Sequence, residues 1–170
     1  MPISLFDLSV PPITRALKNL SGIVQKGAAH AESRKIDHAV LITARLFPDM
    51  FPLSRQVQIV SDVARGGAAR LAGEEVPKFE DNETSFPQLI ARIDRTISYI
   101  EMFRREQIDG NEERKISFVA GGQSLNFTGL PYLTTFVLPN IYFHSATAYN
   151  ILRHNGVDLG KMDFLGKIQP

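Results

Sequence analysis

Between Lys115 and Arg153 the chain carries no Asp, Glu, Lys or Arg. So long an uncharged stretch is not built for a water-facing surface, which leaves lipid or the protein interior. Crossing a bilayer takes about 20 mostly apolar residues in succession, and here Gly121-Gly122, Pro131, Pro139 and Asn140 interrupt the run. The span is therefore expected to be buried in protein. That obliges the rest of the chain to supply apolar faces to cover it.

Those faces recur at helical spacing. From Pro12 to Ala31, the residues Ile13, Ala16, Leu17, Leu20, Val24, Ala28 and Ala31 form one stripe opposite Arg15, Lys18 and Lys26. Leu5 to Leu8 could add a turn before Pro11-Pro12. Asp37 to Phe47 is expected to form a short helix that Pro48 stops, followed by an apolar connection through Met50, Phe51 and Pro52. A second long helix is expected over Leu53–Leu71, with Gly73 as its stop. Within it, Gly66-Gly67-Ala68-Ala69 weakens helix propensity and marks a close helix contact.

After a surface loop from Gly73 to Glu83, Ser85 and Gln88 have the spacing of a capping box, and a third long helix buries Phe86, Leu89, Ile90, Ile93, Ile97 and Ile100. Ile116 and Phe118, then Leu125 and Phe127, alternate about Gly121-Gly122 as in a small β-hairpin. The fourth long helix is expected over Pro131–His154, kinked at Pro139 and closed by Asn155-Gly156-Val157. The economical fold is all-α: a four-helix bundle in a single domain spanning residues 1–170, with a short extra helix and a hairpin between the third and fourth long helices.

Composition removes several function classes. A net charge of +1 with scattered basic residues gives no nucleic-acid footprint. Without cysteine there is no disulfide framework, thiolate metal site or thiol nucleophile, and a reducing, cytoplasmic setting fits best. Met1 to Asp7 has neither a positive n-region nor an apolar h-region, so no export is expected. No P-loop, dinucleotide glycine fingerprint or nucleophile elbow occurs.

The fourth helix carries the most suggestive polar pair. At about 100° per residue, Leu133, Val137, Asn140, Ile141, His144, Ala148 and Ile151 share one side. His144 is expected to face the interior, with Asn140 one turn earlier. Burying an imidazole and an amide costs several kcal/mol unless each finds a partner. Two readings stand: a hydrogen-bonded core histidine, or a ligand or base in a small polar pocket. Asp62 and Gln58 on the second long helix could contribute oxygens to such a pocket, although they share a wheel position with Arg55 and Arg65.

The run from Phe143-His144-Ser145 through Arg153-His154-Asn155-Gly156-Val157, with Gly160 to Gly166 after it, resembles the C-terminal signature of an uncharacterised branch of the DinB/YfiT-like bundles. Ala44 to Leu53, with Gln56-Val57 and Ser61-Asp62, resembles the same branch. The resemblance implies a four-helix bundle, often dimeric. It also implies a divalent metal such as zinc or nickel on three histidines, one from the second long helix and two spaced four apart on the last. His144 matches the later member of that pair; the earlier position holds Asn140, and the second long helix has no histidine. An amide oxygen is a weak substitute for imidazole toward such metals.

The expected function is thus a DinB-like protein with a degenerate metal site, binding an unidentified small molecule or acting through interactions. The alternative is a metal-dependent transferase or hydrolase, in line with thiol-transferase relatives, with His144 as ligand. A metal-free acid/base pocket of Asn140 and His144 is the third possibility. On the helix's other side Tyr142 and Tyr149 lack charged neighbours until Arg153, which fits a two-fold homodimer or cover by the tail residues Phe164-Leu165.

Overall fold

A computed structural model describes residues 4–167. Helix α1 (Leu5–Arg34) is longer than the sequence pattern indicates, running through Pro11 and Pro12 to a left-handed Lys35. Its first turns are held by tertiary bonds. The Asp109 carboxylate accepts from Ser4 Oγ at 2.8 Å and from the Phe6 amide at 2.9 Å, while Arg105 reaches Asp7 at 3.0 Å. Those contacts offset the two backbone donors that the prolines remove. Helix α2 (His38–Ile42) is shorter than expected and stops well before Pro48. Few residues and one buried side favour little continuation of so short a helix, and Arg45 instead ties the connection by donating to Pro48 O at 3.3 Å and Met50 O at 3.1 Å.

Helix α3 (Leu53–Ala72) ends at Gly73, whose φ of 78° is left-handed. Helix α4 (Phe86–Ile100) starts on Ser85, whose hydroxyl accepts from the Gln88 amide. The Gln88 side chain reaches one residue further back than a capping box requires, accepting from the Thr84 amide at 2.7 Å. A further short helix, α5 (Arg105–Ile108), fills the region before Asp109-Gly110. Strands β1 (Lys115–Ala120) and β2 (Gln123–Thr128) pair antiparallel, Ile116 facing Phe127 and Phe118 facing Leu125. The two positive-φ residues between them are Gly121 and Gly122.

The expected single helix to His154 is divided. A short turn α6 (Gly129–Pro131) leads into a π-helical segment, Tyr132–Val137, before α7 (Leu138–His154). The Leu138 amide donates to Leu133 O, five residues back, just before Pro139. Proline cannot donate and crowds the preceding turn, and a widened π turn takes up that misfit without breaking the rod. Gly156 (φ 88°) and buried Val157 close α7, with the Val157 amide on Leu152 O at 3.1 Å.

The four long helices pack in pairs: α1 on α4, α4 on α3, α3 on α7 and α7 on α1. Leu17, Val24, Val57, Val60, Leu89, Ile93, Ile141 and Leu152 fill the space between them. The hairpin packs on the start of the last long rod through an aromatic cluster in which Phe118 stacks on Phe127 and meets Tyr132 and Phe136 edge-on, while Tyr132 and Phe136 stack on each other. After α7 the chain turns back, and α8 (Lys161–Leu165) lies on α1. Among the described residues no helix is long and apolar enough to cross a membrane.

Candidate functional site

The π turn also moves the buried face of α7. Val137, Ile141, Ala148 and Leu152 are fully buried and Ser145 and Thr147 nearly so, while His144 stands half-buried at the flank toward α3. Sequence periodicity places His144 centrally because it assumes one uniform helix; the extra residue of the π segment changes the phase. Asn140 does not join it. Its Nδ2 donates back to Phe136 O at 2.7 Å, capping a carbonyl within the distorted stretch.

The partner of His144 is Gln56 of α3, with 2.6 Å between Nδ1 and Oε1. Gln56 is itself 2% exposed. Its Nε2 donates to Phe51 O at 3.0 Å, which turns Oε1 toward the imidazole. An amide oxygen only accepts, so Nδ1 carries the proton and, in the neutral ring, Nε2 keeps its lone pair. Burial, then the positive charge of Arg55, hold the imidazole below its ordinary pKa. Phe143 meets the ring edge-on, with centroids 5.0 Å apart. Gln56 lies three residues after Leu53 and four before Val60, both buried, so helical spacing could have shown it as the polar member of α3's inward stripe.

Gln58 and Asp62 belong to a different site. Gln58 donates to Glu83 at 3.0 Å, and Asp62 accepts from Arg65 at 2.8 Å and Arg92 at 2.7 Å. These groups lie on the side of α3 turned to α4 and to the loop before it. Arg92, with 2% of its side chain exposed, also meets Asp81 at 2.9 Å and Glu83 at 2.9 Å. Burial opposes its charge, but Glu83, Asp62 and Asp81 outweigh it and raise its pKa. For Arg65 burial prevails over Asp62, and the pKa is lowered. The Phe79 ring lies under Arg65 at 3.9 Å and Arg95 at 3.8 Å. Such a network clamps the loop; it does not converge on a pocket with His144.

The donor set around His144 does not fit the metal that the sequence resemblance implies. Gln56 Oε1 takes the Nδ1 proton, Asn140 turns its amide nitrogen back to the Phe136 carbonyl, and among the described residues no three His, Cys, Asp or Glu side chains converge. His38 packs edge-on against Phe86, far from this arrangement in the chain's order and on another helix. On the opposite flank of α7, Tyr149 packs against Phe164, centroids 6.5 Å apart, and its hydroxyl reaches Leu159 O at 3.4 Å. Tyr142 is 44% exposed.

The chain is 42% identical to a DinB family member protein from Shewanella denitrificans, with a TM-score of 0.86 over 96% of this chain and 93% of that one. The helical scaffold is thus that of the DinB-like proteins. Residues 5–165 match the family described as Domain of unknown function (DUF1993), and the chain belongs to that family. A search of the curated proteins gave no match.

Proposed function

We propose that this member of the DUF1993 family uses the four long helices as a bundle in which a histidine–glutamine hydrogen bond replaces the metal centre, and that it works as a small-molecule-binding protein of the cytoplasm. The observation that carries the reading is the 2.6 Å contact between His144 Nδ1 and Gln56 Oε1. A histidine ligand commonly keeps a second-layer acceptor on its other nitrogen; here that acceptor is present without the companion ligands. Metal analysis of untagged protein, followed by calorimetric titration with Zn2+ and Ni2+, tests it. The expected result is no stoichiometric, His144-dependent metal. One equivalent lost in His144→Ala would overturn the reading.

The rival, a metal-dependent transferase or hydrolase, draws support from one feature: His144 Nε2 makes no hydrogen bond among the described residues and has a lone pair to offer. The same titration separates the two. A two-fold dimer through Tyr142 is the competing reading of the opposite flank of α7, since Tyr149 is taken up by the tail. Light scattering at an 18.9 kDa mass across all concentrations would remove that reading.

A further inference from the structure

The flank of α7 away from Gln56 faces a cleft between α1, α7 and α8 with a volume of about 360 Å3. That size is at the lower end of the range for ligand pockets, about 300–1,000 Å3. Leu20, Ile23, Tyr142 and Phe164 supply apolar walls. Of the residues that line it, Arg15 alone is charged, and no acidic side chain is among them. Arg15 donates through Nη2 to Leu165 O at 2.6 Å and makes no ion pair among the described residues. Its remaining N–H groups therefore stay available to an anion at the mouth.

Ser145 is on the wall contributed by α7. It is 3% exposed, and its Oγ has no hydrogen-bond partner. A serine inside a helix normally returns its hydroxyl to a carbonyl one turn back, as Thr147 does to Phe143 O at 2.8 Å. A buried hydroxyl left without a partner is costly, and a ligand group reaching it would remove that cost. The occupant therefore needs a compact apolar body, one negative charge at the Arg15 end and a polar atom that reaches Ser145.

We propose that the cleft between α1, α7 and α8 is a binding site for a small monocarboxylate with an apolar ring or short chain, its carboxylate on Arg15 and its body between Tyr142 and Phe164. Phe164 and Leu165 belong to the tail, which Asn19 holds through Phe164 O at 2.9 Å, so this wall of the cleft depends on the seating of α8. The site rests on the binding reading given above but uses neither His144 nor Gln56.

The test is an NMR titration of the full chain with phenylacetate, and with 2-phenylethanol as its uncharged counterpart, in the presence and absence of EDTA. Saturable shifts at Ala16, Leu20, Ser145 and Phe164 are expected, with phenylacetate bound at least about tenfold more tightly than the alcohol. Arg15→Met is expected to bring the acid down to the alcohol's affinity, Arg15→Lys to restore part of the difference, and both spectra to keep native dispersion. Absence of saturation, shifts centred on Phe51 and Phe143, or indifference to Arg15→Met would overturn the site. So would concentration-dependent shifts of the cleft residues without any probe, which would mean that a second copy fills it. An EDTA-sensitive response at Gln56 and His144 would instead count against the metal-free reading and leave the cleft result standing.

Discussion

Gly67 of α3 lies so close to the π segment that a methyl group placed on it would stand 2.8 Å from Val137 Cγ1. That approach lets α3 and the start of α7 share a core without a side chain between them. Alanine for glycine in a helix is worth about 1 kcal/mol of propensity, whereas forcing a methyl into a packed contact costs about 1–3 kcal/mol. Gly67→Ala is therefore expected to lower stability in urea denaturation. Gly22 of α1 has nothing within 4 Å of the same position, so Gly22→Ala is expected to raise stability by up to about 1 kcal/mol. Opposite signs for two identical substitutions are the result that checks the packing.

His144 and Gln56 link stability to pH. The folded imidazole has a lowered pKa, from burial first and Arg55 second, against about 6.5 for the unfolded chain. Between those values the unfolded state binds the extra proton, so stability rises with pH there. The His144 contribution is expected to be complete above about pH 6.5 and to fade as pH falls toward the folded pKa. His144→Gln, which cannot titrate, is expected to lose that step in denaturation curves between pH 7.5 and 5, and an unchanged step would reject the assignment. His144→Ala leaves the buried Gln56 oxygen without its donor and is expected to cost about 1–3 kcal/mol.

The Gly73 stop, the Ser85 cap, the glycine turn of the hairpin and the Gly156-Val157 closure are all legible in the sequence, because each depends on residues a few positions apart; the small residues of α3 also signal a close contact, which the structure places at Gly67 against Val137, while Gly66 meets only Arg70 of its own helix. What was hidden depends on distant partners. The first turns of α1 form through Asp109 and Arg105, about a hundred residues on. The π turn lies just before Pro139 and packs through Val137 on Gly67, and it displaces His144 from the centre of its face. The sequence offers Gln58 and Asp62 to the same pocket as His144 because a charged stripe on one helix gives no sign of which neighbour covers it. The loop carrying Phe79, Asp81 and Glu83 covers it, and no local pattern announces that. Gln56 was within reach of spacing arguments, yet a lone amide in an apolar stripe draws less notice than a histidine.

Arg92 of α4 is the group that holds that covering loop. Its side chain is 2% exposed and it meets Asp62, Asp81 and Glu83, whose side chains are 35%, 41% and 10% exposed. Water can take over much of the first two carboxylates, but little of Glu83. Arg92→Met, which keeps the apolar stem, is expected to cost about 2–4 kcal/mol, mainly through the stranded Glu83. Lys18 and Glu101 form a pair at 59% and 49% exposure, and Glu101→Gln is expected to change stability by less than about 1 kcal/mol. Thermal denaturation of both variants would show whether burial separates the two pairs as argued.

The tail should open before the rest of the molecule does. Helix α8 has no buried residue. It is held by Asp163, which accepts from Lys26 at 2.7 Å and from the Gly160 amide at 2.8 Å. The Lys26 contact, then that amide, lower the Asp163 pKa, so this restraint is present above the usual carboxylate value and is lost as pH falls through the lowered one. Asp163→Ala removes both bonds while leaving the helix-packed core untouched. The urea midpoint is expected to shift by an amount worth less than about 1 kcal/mol, while trypsin cleavage after Lys161 speeds up and amide exchange over residues 161–166 rises. A large fall in global stability with no faster cleavage would mean that α8 unfolds only with the core, and that the wall of the cleft formed by Phe164 and Leu165 does not lift on its own.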